Sequence, residues 1–259
     1  MSRIKTTQEI SLLREGGALL SRALGAVLDA VRPGVTMKEL DTLAERTICK
    51  GGGTPSFLGY KAGGDVPFPA TVCISKNEEV VHGPGNRDIV LEDGDIVGFD
   101  IGCWYEGLCT DMAYTLGVGN VIADRRMLLN VTKASLQNGI KAIRAGAKLQ
   151  GISQAIEDTI RPHGFGIVTN YVGHGVGHKV HEEPQIPNFV SKQFANPTLE
   201  AGMVLALEPM VTLGDAELTV SDDGWTAMTA DGSASAHFEQ TVAVTEKGFE
   251  ILTPFPEGY

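Results

Sequence analysis

Residues 94–116, GDIVGFDIGCWYEGLCTDMAYTL, constrain the fold of this chain more than any other stretch. Two apolar runs, residues 96–103 and 108–116, read as strands joined by a turn at Trp104-Tyr105-Glu106-Gly107. Each run carries an embedded acid, Asp100 in the first and Asp111 in the second. A hairpin folding about Tyr105-Glu106 sets these two carboxylates directly opposite one another on one face. Opposed residues in an antiparallel pair have Cβ atoms about 4.5–5.5 Å apart, and like charges there are destabilising. A buried, unpaired carboxylate also costs several kcal/mol. Neither strand offers a Lys or Arg as counter-ion. Either acid alone reads as a solvent-facing or turn-capping residue; the pair, flanked by Phe99, Ile101, Met112 and Ala113, points to a bound cation. Two carboxyls sharing one proton are the rival chemistry, and that arrangement needs no further ligands.

Further ligands are present in the sequence. Residues 171–184 hold His174, His178 and His181 among glycines that permit close backbone approach to a bound group. His181-Glu182-Glu183-Pro184 is not the zincin motif, since it has no second His at helical spacing and Pro184 opposes a helix. Glu208 is embedded in the apolar run Val204-Leu205-Ala206-Leu207, and Glu239 precedes Gln240-Thr241-Val242. Strand alternation could turn Glu239 to solvent, an explanation that serves Glu208 poorly. Four carboxylates and an imidazole suit Mn, Fe, Co or Zn. Two such ions about 3.5–4 Å apart form a known hydrolytic arrangement.

Around this centre the chain repeats itself. Residues 31–48 align without a gap on residues 143–160, with identities at Arg32/Arg144, Gly34/Gly146, Glu45/Glu157, Thr47/Thr159 and Ile48/Ile160. Gly52/Gly164 follows just beyond. Two similarly packed helices could share this pattern by chance; an old duplication would give two similar halves. Ile10, Leu13, Gly17, Leu20, Leu24, Leu28 and Val31 recur at helical spacing, and Pro33-Gly34 ends that helix. Thr36-x-x-Glu39 opens a second helix as a capping box, and Gly51-Gly52-Gly53 stops it. A strand at 71–75 precedes the hairpin. The second half predicts helices at about 124–145 and 150–161, then strands at 167–172, 203–213 and 238–244. Helices followed by antiparallel strands, twice over, predict an α+β class with helices on one face of a curved sheet. No linker divides the chain, so 1–259 reads as one domain with halves of roughly 1–120 and 121–259.

Composition excludes several alternatives. A net charge of −11 disfavours nucleic acid as the main partner, because phosphate neutralisation needs clustered Lys and Arg. Cys49, Cys73, Cys103 and Cys109 show no CxxC spacing and no disulfide-scaffold density. The N-terminus MSRIKTTQEI has no apolar signal core, and no run reaches membrane-span length. A reduced, cytoplasmic protein is the expectation.

The ordered set His82-Gly83, Phe99-Asp100-Ile101, Thr110-Asp111, Gly173-His174-Gly175, His181-Glu182-Glu183-Pro184, Leu207-Glu208-Pro209 and Glu239-Gln240-Thr241 resembles the type I methionine aminopeptidases. The resemblance runs over nearly the whole chain. It implies the pita-bread fold, whose two pseudo-symmetric halves suit the internal echo. It implies two divalent ions held by Asp100, Asp111, His174, Glu208 and Glu239, with Asp111 and Glu239 bridging. Glu208 would assist deprotonation of a water, His181 would contact the scissile carbonyl, and His82 the peptide nitrogen. Tyr60, Phe68, Cys73 and Trp225 would wall a methionine pocket. A monovalent cation would sit near Asn77, Glu79 and Ser235. The substrates implied are N-termini of nascent polypeptides with a small second residue, met at the ribosome by a monomer. Two departures stand out: residues 61–71 are longer than the family pattern, and Val180 replaces a usual aromatic. His178 has no counterpart in the motif and reads as a solvated loop residue. No N-terminal extension precedes the first helix, as in the short bacterial form. The alternatives are a proline-specific relative, which shares the ligands but usually carries a long N-terminal domain, and a non-catalytic peptide binder, which would have lost ligands.

Overall fold

The chain enters its first helix through a capping box: Thr6 Oγ1 accepts from the Glu9 N–H, and the Glu9 carboxylate accepts from the Thr6 N–H. The computed structural model describes residues 3–61 and 66–259. In chain order it contains α1 (Thr7–Ala30), α2 (Met37–Lys50), β1 (Thr54–Pro55), β2 (Val72–Lys76), β3 (Glu79–Val81), β4 (Ile96–Tyr105) and β5 (Leu108–Gly117). Then come α3 (Ala123–Lys141), α4 (Gln150–Ile160), a short 3-10 turn (Arg161–His163), β6 (Gly166–Ile167), β7 (Gly173–Gly175) and β8 (Glu182–Ile186). The remainder is strand: β9 (Val204–Leu207), β10 (Met210–Thr212), β11 (Leu218–Val220), β12 (Ala227–Thr229), β13 (Ser235–His237), β14 (Glu239–Thr245) and β15 (Gly248–Ile251). The Thr36/Glu39 capping box forms as the spacing predicts.

The main sheet runs β1-β4-β5-β14-β9-β7-β8, with β2 beside β4 and β15 beside β14. It is antiparallel throughout. Alternation sorts its side chains. Phe99, Ile101, Met112, Tyr114, Leu205, Leu207, Val242 and Val244 join one core with the helix residues Leu20, Leu24, Leu28, Leu40, Ile152 and Ile156. The alternate positions Val204, Ala206 and Ala243 join a second cluster with Phe57, Phe68 and Cys73 on the opposite face. The acids share that second parity, which turns them away from the helices. Buried Asp41 on α2 ties the layers together, its carboxylate accepting from the Thr71 and Val72 N–H groups at 2.9 and 2.8 Å.

The internal echo is structural. Gly34 and Gly146 both adopt left-handed φ (92° and 84°) after the first helix of each half, and Gly52 and Gly164 repeat this after the second. Gly34 N–H donates to Leu91 O, and Gly146 N–H to Leu199 O. Gly94 N–H donates to Val118 O, and Gly202 N–H to Val244 O. Asp100 and Glu208 each lie six residues after those last two glycines, so the halves contribute them from equivalent positions.

Five sequence expectations need correction. The hairpin turns at Glu106-Gly107, both with positive φ (48° and 79°), because a tight two-residue turn of that twist matches the strands. Asp100 therefore pairs with Ala113 and Asp111 with Gly102, which makes the acids diagonal neighbours on one face and not direct opposites. The strand expected at 203–213 breaks at Glu208-Pro209, since proline cannot donate to the ladder. The run 167–172 keeps only Gly166–Ile167 as strand, β14 begins at Glu239, and α3 ends at Lys141.

Glycine at position 17 is dictated by packing. A Cβ there would lie 2.0 Å from the Leu252 carbonyl oxygen, so α1 crosses the chain after β15 at backbone contact. Gly→Ala in a helix interior normally stabilises by about 1 kcal/mol. Gly17→Ala should instead destabilise, by about 1–3 kcal/mol as overpacking does. Urea denaturation of the variant measures the sign.

Candidate metal centre

Five neighbouring strands of one sheet converge their polar side chains at a single point. Asp100 comes from β4, Asp111 from β5, Glu239 from β14 and His174 from β7, and Glu208 directly follows β9. Ligand atoms of Asp111, His174 and Glu239 all lie within 4.8 Å of one another, and all three residues are buried. His174 Nε2 stands 3.4 Å from Glu208 Oε1. The His174 Nδ1 bonds the Gly175 carbonyl at 2.9 Å. A carbonyl only accepts, so that contact puts the proton on Nδ1 and leaves the Nε2 lone pair facing the carboxylates. Thr241 Oγ1 locks β5 to β14, accepting from the Asp111 N–H at 3.1 Å and donating to the Asp111 carbonyl at 2.7 Å.

The electrostatics are those of a site built for a cation. Asp100 Oδ1, Asp111 Oδ1 and Glu239 Oε1 are buried with no hydrogen-bond partner among the described residues. Burial first, and then the neighbouring acids, push Asp111, Glu208 and Glu239 well above the usual carboxylate range. Burial raises Asp100 to about 7, with a thiol hydrogen bond from Cys73, its cross-strand partner, opposing the rise. Burial drives His174 down to about 3, so its ring is neutral. Orphaned oxygens, clustered acids and a neutral imidazole with a free lone pair fit divalent metal.

The centre opens into a cavity of about 1060 Å³. Tyr60, Phe68, Cys73, Trp225, His82 and His181 all line it. Phe68 meets Trp225 edge-on at 5.2 Å and Phe57 at 6.5 Å. His82 takes a left-handed φ of 63°, stands edge-on to Tyr171 at 4.9 Å, and is pushed down to about 4 by burial. His181 stands 4.5 Å edge-on from His174, with Nδ1 2.7 Å from the Tyr60 hydroxyl. Val180 is buried in the apolar cluster behind this wall. Phe68 belongs to the lengthened segment, of which residues 62–65 lie outside the described residues. Asn77, Glu79 and Ser235 also come together: Ser235 Oγ donates to the Asn77 and Glu79 carbonyls at 3.3 and 2.9 Å.

Two sequence readings change, and one further residue joins the cluster. His178 is not solvated: its Nε2 meets Glu9 Oε1 at 2.7 Å, and its N–H donates to Glu182. Glu182 also pairs with buried Lys5 at 2.7 Å, so the loop carrying His181 is tied to the N-terminal segment. The glycines flanking His174 admit neighbouring strands and not a ligand, since a Cβ at Gly173 would lie 2.5 Å from Ala206 O and one at Gly175 2.4 Å from Glu183 O. His237 went unnoticed in the sequence. Its buried Nε2 faces Glu208 Oε2 and Glu239 Oε2, each 3.9 Å away, with no hydrogen-bond partner among the described residues. Its place two residues before Glu239, on the same strand parity, was the available signal.

Comparison with known proteins agrees with this geometry. Residues 11–246 match the model of metallopeptidase family M24. A methionine aminopeptidase of Clostridium perfringens is 45% identical over 251 residues, covering 96% of this chain and 98% of that protein. The crystal structure of methionine aminopeptidase from Thermotoga maritima superposes with a TM-score of 0.92 at 43% identity, covering 98% of this chain and 99% of the other. Prolidase from Pyrococcus furiosus shares the pita-bread fold, at a TM-score of 0.78 and 22% identity, over 97% of this chain and 65% of its own.

The raised carboxyls predict an unusual stability profile for the metal-free protein. Groups that hold protons more tightly folded than unfolded stabilise fully below the ordinary carboxylate range, and that stability is lost as pH rises through their folded values. Buried histidines contribute the opposite slope, but only below about pH 6.5, where unfolded imidazole titrates. Between about pH 7 and 8 the carboxyls should dominate, so the metal-free Tm should fall as pH rises. Saturating divalent metal should abolish that slope. Differential scanning calorimetry with and without chelator measures both.

Proposed function

Because this chain belongs to metallopeptidase family M24, we propose that it removes the N-terminal methionine from nascent polypeptides, with preference for a small second residue. The observation that carries the reading is near-full-length identity of 45% to a methionine aminopeptidase, combined with a ligand cluster at the base of an aromatic-walled cavity. Asp100, Asp111, His174, Glu208 and Glu239 would hold two divalent ions of Mn, Fe, Co or Zn. When bound, such ions lower the pKa of water to about 7 and polarise a carbonyl.

The chain's own groups do the rest. Glu208, beside His174 in the cluster, receives the proton from the attacking water. His181 donates to the scissile carbonyl oxygen, where negative charge develops. His82, neutral at physiological pH, engages the peptide nitrogen. Tyr60, Phe68, Cys73 and Trp225 hold the methionine side chain, whose flexible thioether gains about 0.3–1.5 kcal/mol from aromatic contact. A monovalent cation near Asn77, Glu79 and Ser235 would brace the loop before β3. Residues 1–259 act as one catalytic unit, a cytoplasmic monomer working on chains that emerge from the ribosome. No helix among the described residues is long and apolar enough to cross a membrane.

The test is a substrate panel assayed with added Mn, Co, Fe or Zn. Met-Ala-Ser should be cleaved fast, and Met-Lys-Ser and Ala-Pro-Ser slowly. Preferential release of residues before proline would move the protein to another branch. Asp100→Ala and Asp111→Ala should abolish hydrolysis and lower metal stoichiometry, whereas full activity after chelation would refute the metal reading. His82→Ala and His181→Ala should each lower kcat/KM by about 10²-fold with metal content unchanged, as loss of a transition-state donor does. Loss of metal in proportion to activity would make that histidine a ligand.

A further inference from the structure

Tyr60 meets His181 in two ways. Its ring packs edge-on at 5.4 Å, and its hydroxyl lies 2.7 Å from Nδ1. The hydroxyl makes no other hydrogen bond among the described residues, and neither does His181 Nε2. A neutral imidazole has one N–H and one lone pair, so whatever binds one nitrogen decides what the other can do.

We propose that Tyr60 is a positioning residue that fixes the tautomer of His181, donating its O–H to Nδ1 so that Nε2 carries the proton and serves as the donor facing substrate. The direction of the bond follows from the partners. Tyr60 must either donate to Nδ1 or accept from it, and only donation gives its proton a partner within the protein. The Tyr60 backbone is itself held: its N–H donates to Phe57 O at 2.8 Å and its carbonyl accepts from Phe68 N–H at 2.8 Å. The segment walling the cavity thus also sets the chemistry of the histidine beside it. A histidine held in the wrong tautomer presents a lone pair where a donor is needed, and such errors are costly in catalysis.

This inference rests on the reading of His181 as a donor to the scissile carbonyl, but its first test does not. In zinc-loaded protein with 15N-labelled histidine, the His181 ring should show the proton on Nε2. In Tyr60→Phe, which keeps the ring and removes only the hydroxyl, the same signals should move toward a mixture of tautomers. The second test is kinetic. Tyr60→Phe should lower kcat for Met-Ala-Ser about tenfold or more, as loss of a partner that orients a functional histidine does, with KM changed less than about twofold because the apolar wall survives. Added to His181→Ala, the same change should lower kcat no further. A wild-type ring protonated on Nδ1, or ring signals unchanged in Tyr60→Phe, overturns the proposal. So does a KM increase at constant kcat, which would leave Tyr60 a wall only. If methionine substrates are not cleaved at all, the functional reading fails while the ring spectrum still decides the tautomer.

Discussion

Mutual repulsion among four clustered carboxylates, Asp111 and Glu239 buried and Asp100 and Glu208 partly so, is the constraint around which the rest of this molecule is arranged. Asp100, Asp111, Glu208 and Glu239 sit together where burial and one another's charge hold their protons on. A fold gains nothing from this arrangement by itself, since desolvating like charges opposes folding. A divalent cation reverses the sign: the charges that repel become ligands, and the orphaned oxygens of Asp100, Asp111 and Glu239 acquire a partner.

The fold supplies the convergence. Adjacent strands lie about 4.8 Å apart, so five neighbours each giving one inward side chain can surround a small volume only if the sheet curls. Glycines at 102, 173 and 175 allow the close approaches this needs, each at a point where a Cβ would strike a neighbouring residue. The helices cover the outer face with the larger apolar cluster and leave the inner face for chemistry. Because Asp100 and Glu208 fall at equivalent positions of the two halves, the ligand set is partly a product of the repeat. The asymmetry that makes a substrate site comes from elsewhere: the aromatic segment around Tyr60 and Phe68, and the loop carrying His181.

Much of this was legible in the sequence because the relevant signals are local. Acids inside apolar runs announced the acidic cluster, Thr36-x-x-Glu39 announced a helix start, and paired glycines announced the repeat. What was not legible depends on long-range register or on groups distant in sequence. The Asp100–Asp111 relation shifted when the turn closed on Glu106-Gly107, a choice made by strand twist. The role of His178 depends on Glu9, 169 residues away. Tyr60 looked like a pocket wall because aromatic character shows in a sequence and the partner of its hydroxyl does not. His237 shows in the sequence only through its parity with Glu239, and its approach to Glu208 depends on the pairing of distant strands.

The inner-face acids hold protons until a divalent cation displaces them. Titration calorimetry of the metal-free protein with zinc or manganese at neutral pH, repeated in buffers of differing ionisation enthalpy, counts those protons directly. The account predicts net proton release as metal binds, lost in Asp111→Asn along with the tight binding itself. Tight binding with no protons released would mean that the carboxylates are already ionised in the metal-free protein, and would contradict it.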